Sequence, residues 1–156
     1  MKVFEFLRPE RKDGYTVRLK SLRREIELLR SQIERLKDCE PDDVMFSSLF
    51  DSAVIRGSKL IRNSGFTMHS FREYVRQSLP RAFRRDLYRV LDDFEREETL
   101  LGELIMRLKN CRDRVIVHMD PRFAFHPERA PENAVQVGDL EAICNYLERH
   151  IDLFDE

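Results

Sequence analysis

The sequence predicts an all-α protein, an up-and-down helical bundle, and two observations carry that prediction. Glycine and proline are scarce, at 5 and 6 of 156 residues, while 37% of residues are charged. That composition suits long amphipathic helices better than a sheet protein with many turns. Apolar residues also recur at steps of three and four in several long stretches, the period of a helix with one buried face. The length is that of one domain with room for a real core.

Met1 to Gly14 has no helical period, and Pro9 and Gly14 punctuate it. Within this arm (1–14), Val3 to Leu7 reads either as an extended piece packed on the body or as a loose end. From 15 to 38 a long helix is expected. Leu19, Leu22, Ile26, Leu29, Ile33 and Leu36 repeat 3, 4, 3, 4, 3, and Arg23/Glu27 and Arg30/Glu34 have ion-pair spacing beside them. The seam docks on the bundle or serves a homodimer interface. The bundle itself, five to six helices over 42–156, follows this added helix.

Glu40-Pro41-Asp42-Asp43 opens the next helix, because proline is tolerated at the first helical position and acids suit the positive end. It runs to about Arg62, where Asn63-Ser64-Gly65 ends it. Ser70 and Glu73 have capping-box spacing, which predicts a short helix over 71–79. Pro80 breaks the chain. From 81 to 119, Phe83, Leu87, Leu91, Phe94, Leu101, Leu104 and Leu108 keep phase through the polar run 95–98. One very long helix or an antiparallel pair turning near 95–99 both satisfy that pattern; the reading adopted is two segments with a break or kink. Residues 121–138 hold three prolines and Gly138 without period, a loop that would roof whatever lies at its start. Asp139 caps a last helix with Leu140, Ile143, Leu147, Ile151 and Phe154 on one face.

The net charge of −1 conceals a basic middle and an acidic tail. Between Ser52 and Val90 lie Arg56, Lys59, Arg62, Arg72, Arg76, Arg81, Arg84, Arg85 and Arg89, against Glu73 and Asp86 alone. Arg72, Arg76, Arg81, Arg84 and Arg85 are the candidate contacts to an RNA backbone, recognition that is electrostatic and independent of sequence. A solvated helix face, or a partner for the acidic tail, fits the same run. Cys39, Cys111 and Cys144 are far apart and unpaired by motif, and the last two read as small buried hydrophobes. The histidines lack metal-ligand spacing, and no nucleotide-loop, zinc or serine-hydrolase motif is present. No metal or cofactor is expected. Without a leader or an apolar run of spanning length, a cytoplasmic protein with no membrane partner is expected.

The stretch with chemistry in it is Asn110 to Pro121. Pro121 pushes the preceding residue out of helical geometry, so the helix is expected to end near Met119, with His118 in its last turn. Arg112 lies six residues earlier, about two-thirds of a turn round and roughly 9 Å along the axis. Asn110, Arg114 and His118 form a ridge at i, i+4, i+8. Cutting RNA without a metal needs a proton carrier and a permanent cation for the phosphoryl oxygens. Histidine titrates near neutrality and serves the first need; arginine forks onto phosphate and serves the second. Asp113 can orient the Arg112 guanidinium, and Asn110 or Arg114 can touch substrate.

Arg112-Asp113-Arg114-Val115-Ile116-Val117-His118 resembles the motif of the HEPN superfamily, an arginine, often a polar residue, and a histidine four to six residues on. The wider string resembles the branch associated with phage abortive infection. Val117 stands where that branch commonly has alanine, and Asp120 comes one residue after Met119. The resemblance implies a homodimer with a composite site of Arg112 and His118. It also implies RNA cleavage to a 2′,3′-cyclic phosphate, and a toxin or phage-defence setting with an antitoxin or other protein partner. A non-catalytic helical module that binds a protein or nucleotide is the alternative.

Overall fold

The computed structural model describes residues 3–62, 65–117 and 134–154, with the backbone alone at 114, 115 and 117. Among the described residues the chain is helical and has no strand. In order come α1 (Val3–Phe6), a 3-10 turn (Pro9–Arg11), α2 (Lys12–Lys37), α3 (Val44–Ile61) and α4 (Met68–Ser78). A second 3-10 turn (Arg81–Phe83), α5 (Arg84–Leu100), α6 (Gly102–Asn110), a π-helical segment (Cys111–Val117) and α7 (Val137–Asp152) complete it. Among the described residues no helix is long and apolar enough to cross a membrane.

α2 is the centre of the bundle. Its buried residues are Tyr15, Leu19, Leu22, Ile26, Leu29, Ile33 and Leu36, one continuous stripe covered by α3 on one side and α7 on the other. Each such side chain contributes about 1.5–3 kcal/mol by leaving water. The seam is therefore closed by the chain's own helices and is not an open face for a second copy.

Polar bonds along the flanks give the directions. Gln32 Nε2 donates to Ser52 Oγ at 2.7 Å, and Arg56, one turn later on α3, reaches back to Gln32 and Glu25. Across the other flank Lys37 meets Glu141 at 2.8 Å, Arg30 meets Glu148 at 2.9 Å and Arg23 meets Asp152 at 3.3 Å. Both series run in opposite senses, so α3 and α7 are antiparallel to α2. Arg30 stands 3.9 Å from Glu34 but donates from two nitrogens to Glu148, and that bond above all holds its pKa above the usual arginine value. Glu141, Glu148 and Asp152 thus serve cations of α2, while Asp139 meets Arg107 on α6.

The boundaries differ from the sequence expectation at five places, each for a local reason. The arm is helical: α1 buries Val3, Leu7 is also buried, Phe6 packs on Phe83 with ring centres 4.6 Å apart, and α2 begins at Lys12. Pro9 sits at the start of the first 3-10 turn, where its missing N–H costs nothing. Gly14 lies inside the first turn of α2, where a Cβ would run into the Tyr74 hydroxyl; it marks a close approach, not a break. α3 starts at Val44, capped by Asp43, whose carboxylate accepts from Met45 N at 2.8 Å. α4 starts at Met68 because the capping box is Thr67 with Ser70, not Ser70 with Glu73. Gly65 before it has φ +87°, a conformation that favours glycine.

α5 and α6 do form two segments, but the break falls at Leu101 and not at 95–99. Leu101 N still bonds Glu97 O at 3.1 Å and Ile105 N bonds Leu101 O at 2.9 Å, so the helix kinks and does not fold back. α7 begins at Val137, capped by Gln136 with Asp139 as its reciprocal partner, three residues ahead of the expected start. Most of the expected loop 121–138 lies outside the described residues. Cys111 and Cys144 are buried free thiols, and Cys39 is a half-buried one.

Leu29 has no exposed surface and is packed by the seam's neighbours, whereas Val17 on the same helix is 64% exposed. Leu29→Ala should cost about 2–5 kcal/mol of unfolding free energy. Val17→Ala should stay within about 0.5 kcal/mol. Urea denaturation of the two variants checks both.

Candidate functional site

A cleft of about 790 Å³ opens where the end of α3, α4 and the kinked α5–α6 pair draw apart. The kink bends the wall around it. Ser58 and Arg62 come from the α3 end, His69 and Arg72 from α4, Glu95 and Glu98 from α5, Met106 and Lys109 from α6, and Arg112 from the π-helical segment. Ile61 and Ile105 add apolar wall.

Arg72 is placed by the amphipathic pattern of α4, which buries Met68, Phe71, Arg72 and Val75 on one face. A charge in that position must be paired. Its Nη2 donates to Glu98 Oε2 at 2.7 Å, and the Tyr146 hydroxyl donates to the same oxygen at 2.9 Å. Burial, then the Glu98 charge, raises the Tyr146 pKa, so the hydroxyl remains a donor. Among the described residues Arg72 Nη1 has no partner.

One turn on, Arg76 donates to Glu73 and to Glu95, each at 2.6 Å. Burial works against its charge, but those two bonds together outweigh it and raise its pKa. Its guanidinium also stands over the Tyr88 ring, 5.5 Å from the centre.

These contacts correct the expected RNA-facing set. Arg72 is buried at 4% exposure, and Arg76 is held by two carboxylates, so neither is a free surface cation. Arg81, Arg84 and Arg85 are different: with Tyr88, Arg89 and Asp92 they line a second hollow of about 560 Å³ at the start of α5. Arg84 also donates from Nε to Leu79 O at 3.2 Å.

Arg112 is brought to the cleft wall, and Asp113 holds it. Nε donates to Asp113 Oδ1 at 2.6 Å and Nη2 stands 2.5 Å from the same oxygen. The arginine side chain is 19% exposed. The segment is π-helical, with bonds spanning five residues, so the wheel that set Asn110, Arg114 and His118 on one ridge does not apply from Cys111 onward. π-Helical turns are frequent at functional sites. Asn110 is half-buried and outside the cleft wall. The Arg114 side chain and the whole of His118 lie outside the described residues. Cys111 beside them is no nucleophile, since burial, then the Asp51 charge, pushes its thiol up to about 11.

Sequence reasoning missed Arg62, His69, Lys109 and Glu98 as wall residues. Lys109 had a visible signal, three residues before Arg112 and so on a shared helical face. Arg72 and Glu98 had none, being 26 positions apart.

Beneath this wall His150 is fully buried, its ring 3.5 Å from Phe94 and 3.8 Å from Tyr146 between centres. Glu97 Oε2 is 3.7 Å away, beyond hydrogen-bond reach, and Arg149 already holds that carboxylate. Burial first, then the charges of Arg72 and Arg149, lowers the His150 pKa to about 3. Among the described residues no three His, Cys, Asp or Glu side chains gather as a metal site. No family model matches the chain, and comparison with characterised proteins and with solved structures likewise finds no match.

His150 is neutral in the fold and titrates near 6.5 in the unfolded chain, so the unfolded state binds the extra proton. Its contribution is present above pH 6.5 and is lost as pH falls towards 3. His150→Phe should reduce the loss of stability between pH 7 and pH 4.5, as measured by urea melts at the two pH values.

Proposed function

We propose that the chain is a metal-independent endoribonuclease in which Arg112 and His118 act on a phosphodiester, with two copies sharing a composite site. The observation that carries this reading is the place of Arg112: in the wall of a cation-rich cleft, with its guanidinium fixed by Asp113. A pinned guanidinium presents its remaining N–H groups in one direction, which is what stabilising developing phosphoryl charge requires.

The reaction has a simple balance. The 2′-oxygen attacks phosphorus, the bond to the 5′-oxygen breaks, and a 2′,3′-cyclic phosphate and a 5′-hydroxyl result. One proton leaves the 2′-hydroxyl and one reaches the departing 5′-oxygen. Two His118 imidazoles in a dimer, one neutral and one protonated, divide these transfers. Leu100, strongly exposed beside the cleft, supplies apolar surface for pairing. The resemblance to the HEPN superfamily adds a setting, a toxin or defence effector acting on cytoplasmic RNA and restrained by a protein partner. A nucleotide-binding module without catalysis has one observation in its favour, since the cleft alone has the volume of a small-molecule pocket.

Purified protein should cleave RNA in the presence of EDTA and leave cyclic-phosphate ends. Arg112→Ala and His118→Ala should each lower the rate at least about a hundredfold, with circular dichroism unchanged. Equal behaviour of all three proteins leaves the binding module. Mass measured in solution at micromolar concentration should be that of a dimer, and a strict monomer removes the shared site.

A further inference from the structure

Two cationic hollows and the residue between them lie along one face of α5. Arg85, Tyr88 and Asp92 line the second hollow, and Glu95 and Thr99 line the cleft, at steps of three and four that keep one stripe of the helix. Arg76 joins them, its guanidinium over Tyr88 and bonded to Glu95.

We infer that this face is a path for single-stranded RNA, ending in a phosphate seat whose fixed donor is the buried Arg72. The naming of RNA rests on the nuclease reading; the anionic character of the ligand does not. Arg72 is 4% exposed, lines the cleft, and has its Nη1 buried without a partner among the described residues. A buried charged donor left unmade is costly, and an acceptor that reached Nη1 from the cleft beside Arg72 would complete it.

The charges of the wall fix the sign of that ligand. Four cations (Arg62, Arg72, Lys109, Arg112) line the cleft; Glu98 pairs Arg72, Asp113 pairs Arg112 and Glu95 is bonded to Arg76, so the excess positive charge of the wall sits on Arg62 and Lys109. Among the described residues Arg62 and Lys109 form no ion pair and are exposed, while His69 adds an imidazole edge. Ile61, Ile105 and Met106 offer the apolar surface on which a base or ribose packs. A single phosphate fills only a small part of such a cleft. The second hollow lies about 10 Å along the helix axis, the span from Tyr88 to Glu95, so occupation of both needs a polymer of phosphates. Tyr88, in the wall of the hollow at the start of α5, supplies a stacking surface, the second element of single-strand binding.

The test measures binding by fluorescence anisotropy of a short fluorescein-labelled 2′-O-methyl RNA, which lacks the 2′-hydroxyl nucleophile. The full chain is compared with Arg62→Glu/Lys109→Glu, with Arg85→Glu/Arg89→Glu, and with Arg24→Glu as a control cation on α2. Each double variant should bind at least about tenfold more weakly at low salt. Each should also flatten the dependence of log affinity on log salt by about 1.4, for two phosphate contacts on a single strand. The control should bind as wild type. Arg72→Met should weaken binding too, and because it can also unfold the protein, the surface variants decide the matter. Wild-type affinity in both double variants, no binding by the wild type, or equal competition by polyglutamate overturns the path; the last outcome marks a surface for an acidic protein. Binding along the path without cleavage in EDTA leaves the path and removes the nuclease reading. Cleavage that ignores both double variants does the reverse.

Discussion

The constraint on which the rest of the molecule depends is the burial of the α2 seam. Seven side chains from Tyr15 to Leu36 form a stripe too long for one neighbour to cover. α3 and α7 close it from two sides, and both must run antiparallel for their polar flanks to meet those of α2. The Tyr15 hydroxyl donating to Phe154 O at 2.5 Å pins the start of α2 to the residues just beyond α7. Once these three helices are fixed, α4, α5 and α6 have one free side left to pack on. The kink at Leu101 lets the second half of that pair turn toward α3, and the space left at the bend is the cleft.

Charge is distributed by the same logic. Among the acids of α7, Glu141, Glu148 and Asp152 are held by Lys37, Arg30 and Arg23 and Asp139 by Arg107, which leaves the basic middle to find its partners elsewhere. Arg56, Arg72 and Arg76 find them on α2 and α5. Arg81, Arg85, Arg62 and Lys109 form no ion pair among the described residues, and it is these that border the two hollows. Exposed pairs contribute little to stability, so the cations left over are the informative ones.

How much of this was legible in the sequence follows from the range of each interaction. The seam of α2 was legible residue by residue, because a 3,4 repeat is a local signal and burial by any neighbour satisfies it. What covers the seam was not, since Arg30 with Glu148 and Arg56 with Glu25 are long-range choices that no spacing encodes. Helix starts were off by three residues wherever two caps competed. Thr67 prevailed over Ser70, and Gln136 over Asp139, by engaging the third helical residue reciprocally. Gly14 and Pro9 misled because each has a use inside a helical start: one admits Tyr74, the other needs no hydrogen bond. Arg112 was singled out from its neighbours in the chain, and it lies in the cleft wall. Arg72 was read as a surface cation because a count of charges carries no information about which face of α4 is turned inward.

That inward turn makes Arg72 the residue in which fold and site meet. Its Nη2 locks α4 to α5 through Glu98, and the Tyr146 hydroxyl ties the same carboxylate to α7, so three helices converge on one oxygen. A lysine there would supply a point charge but no planar fork, and would leave either the carboxylate or the cleft without its donor. The fork allows one nitrogen to hold the bundle while Nη1 stays buried and unpartnered among the described residues, in a residue that lines the cleft. An anion seated in the cleft would complete the second bond without disturbing the first. Ligand and fold would then be stabilised by the same guanidinium, and anything that binds the folded chain alone raises its stability by mass action.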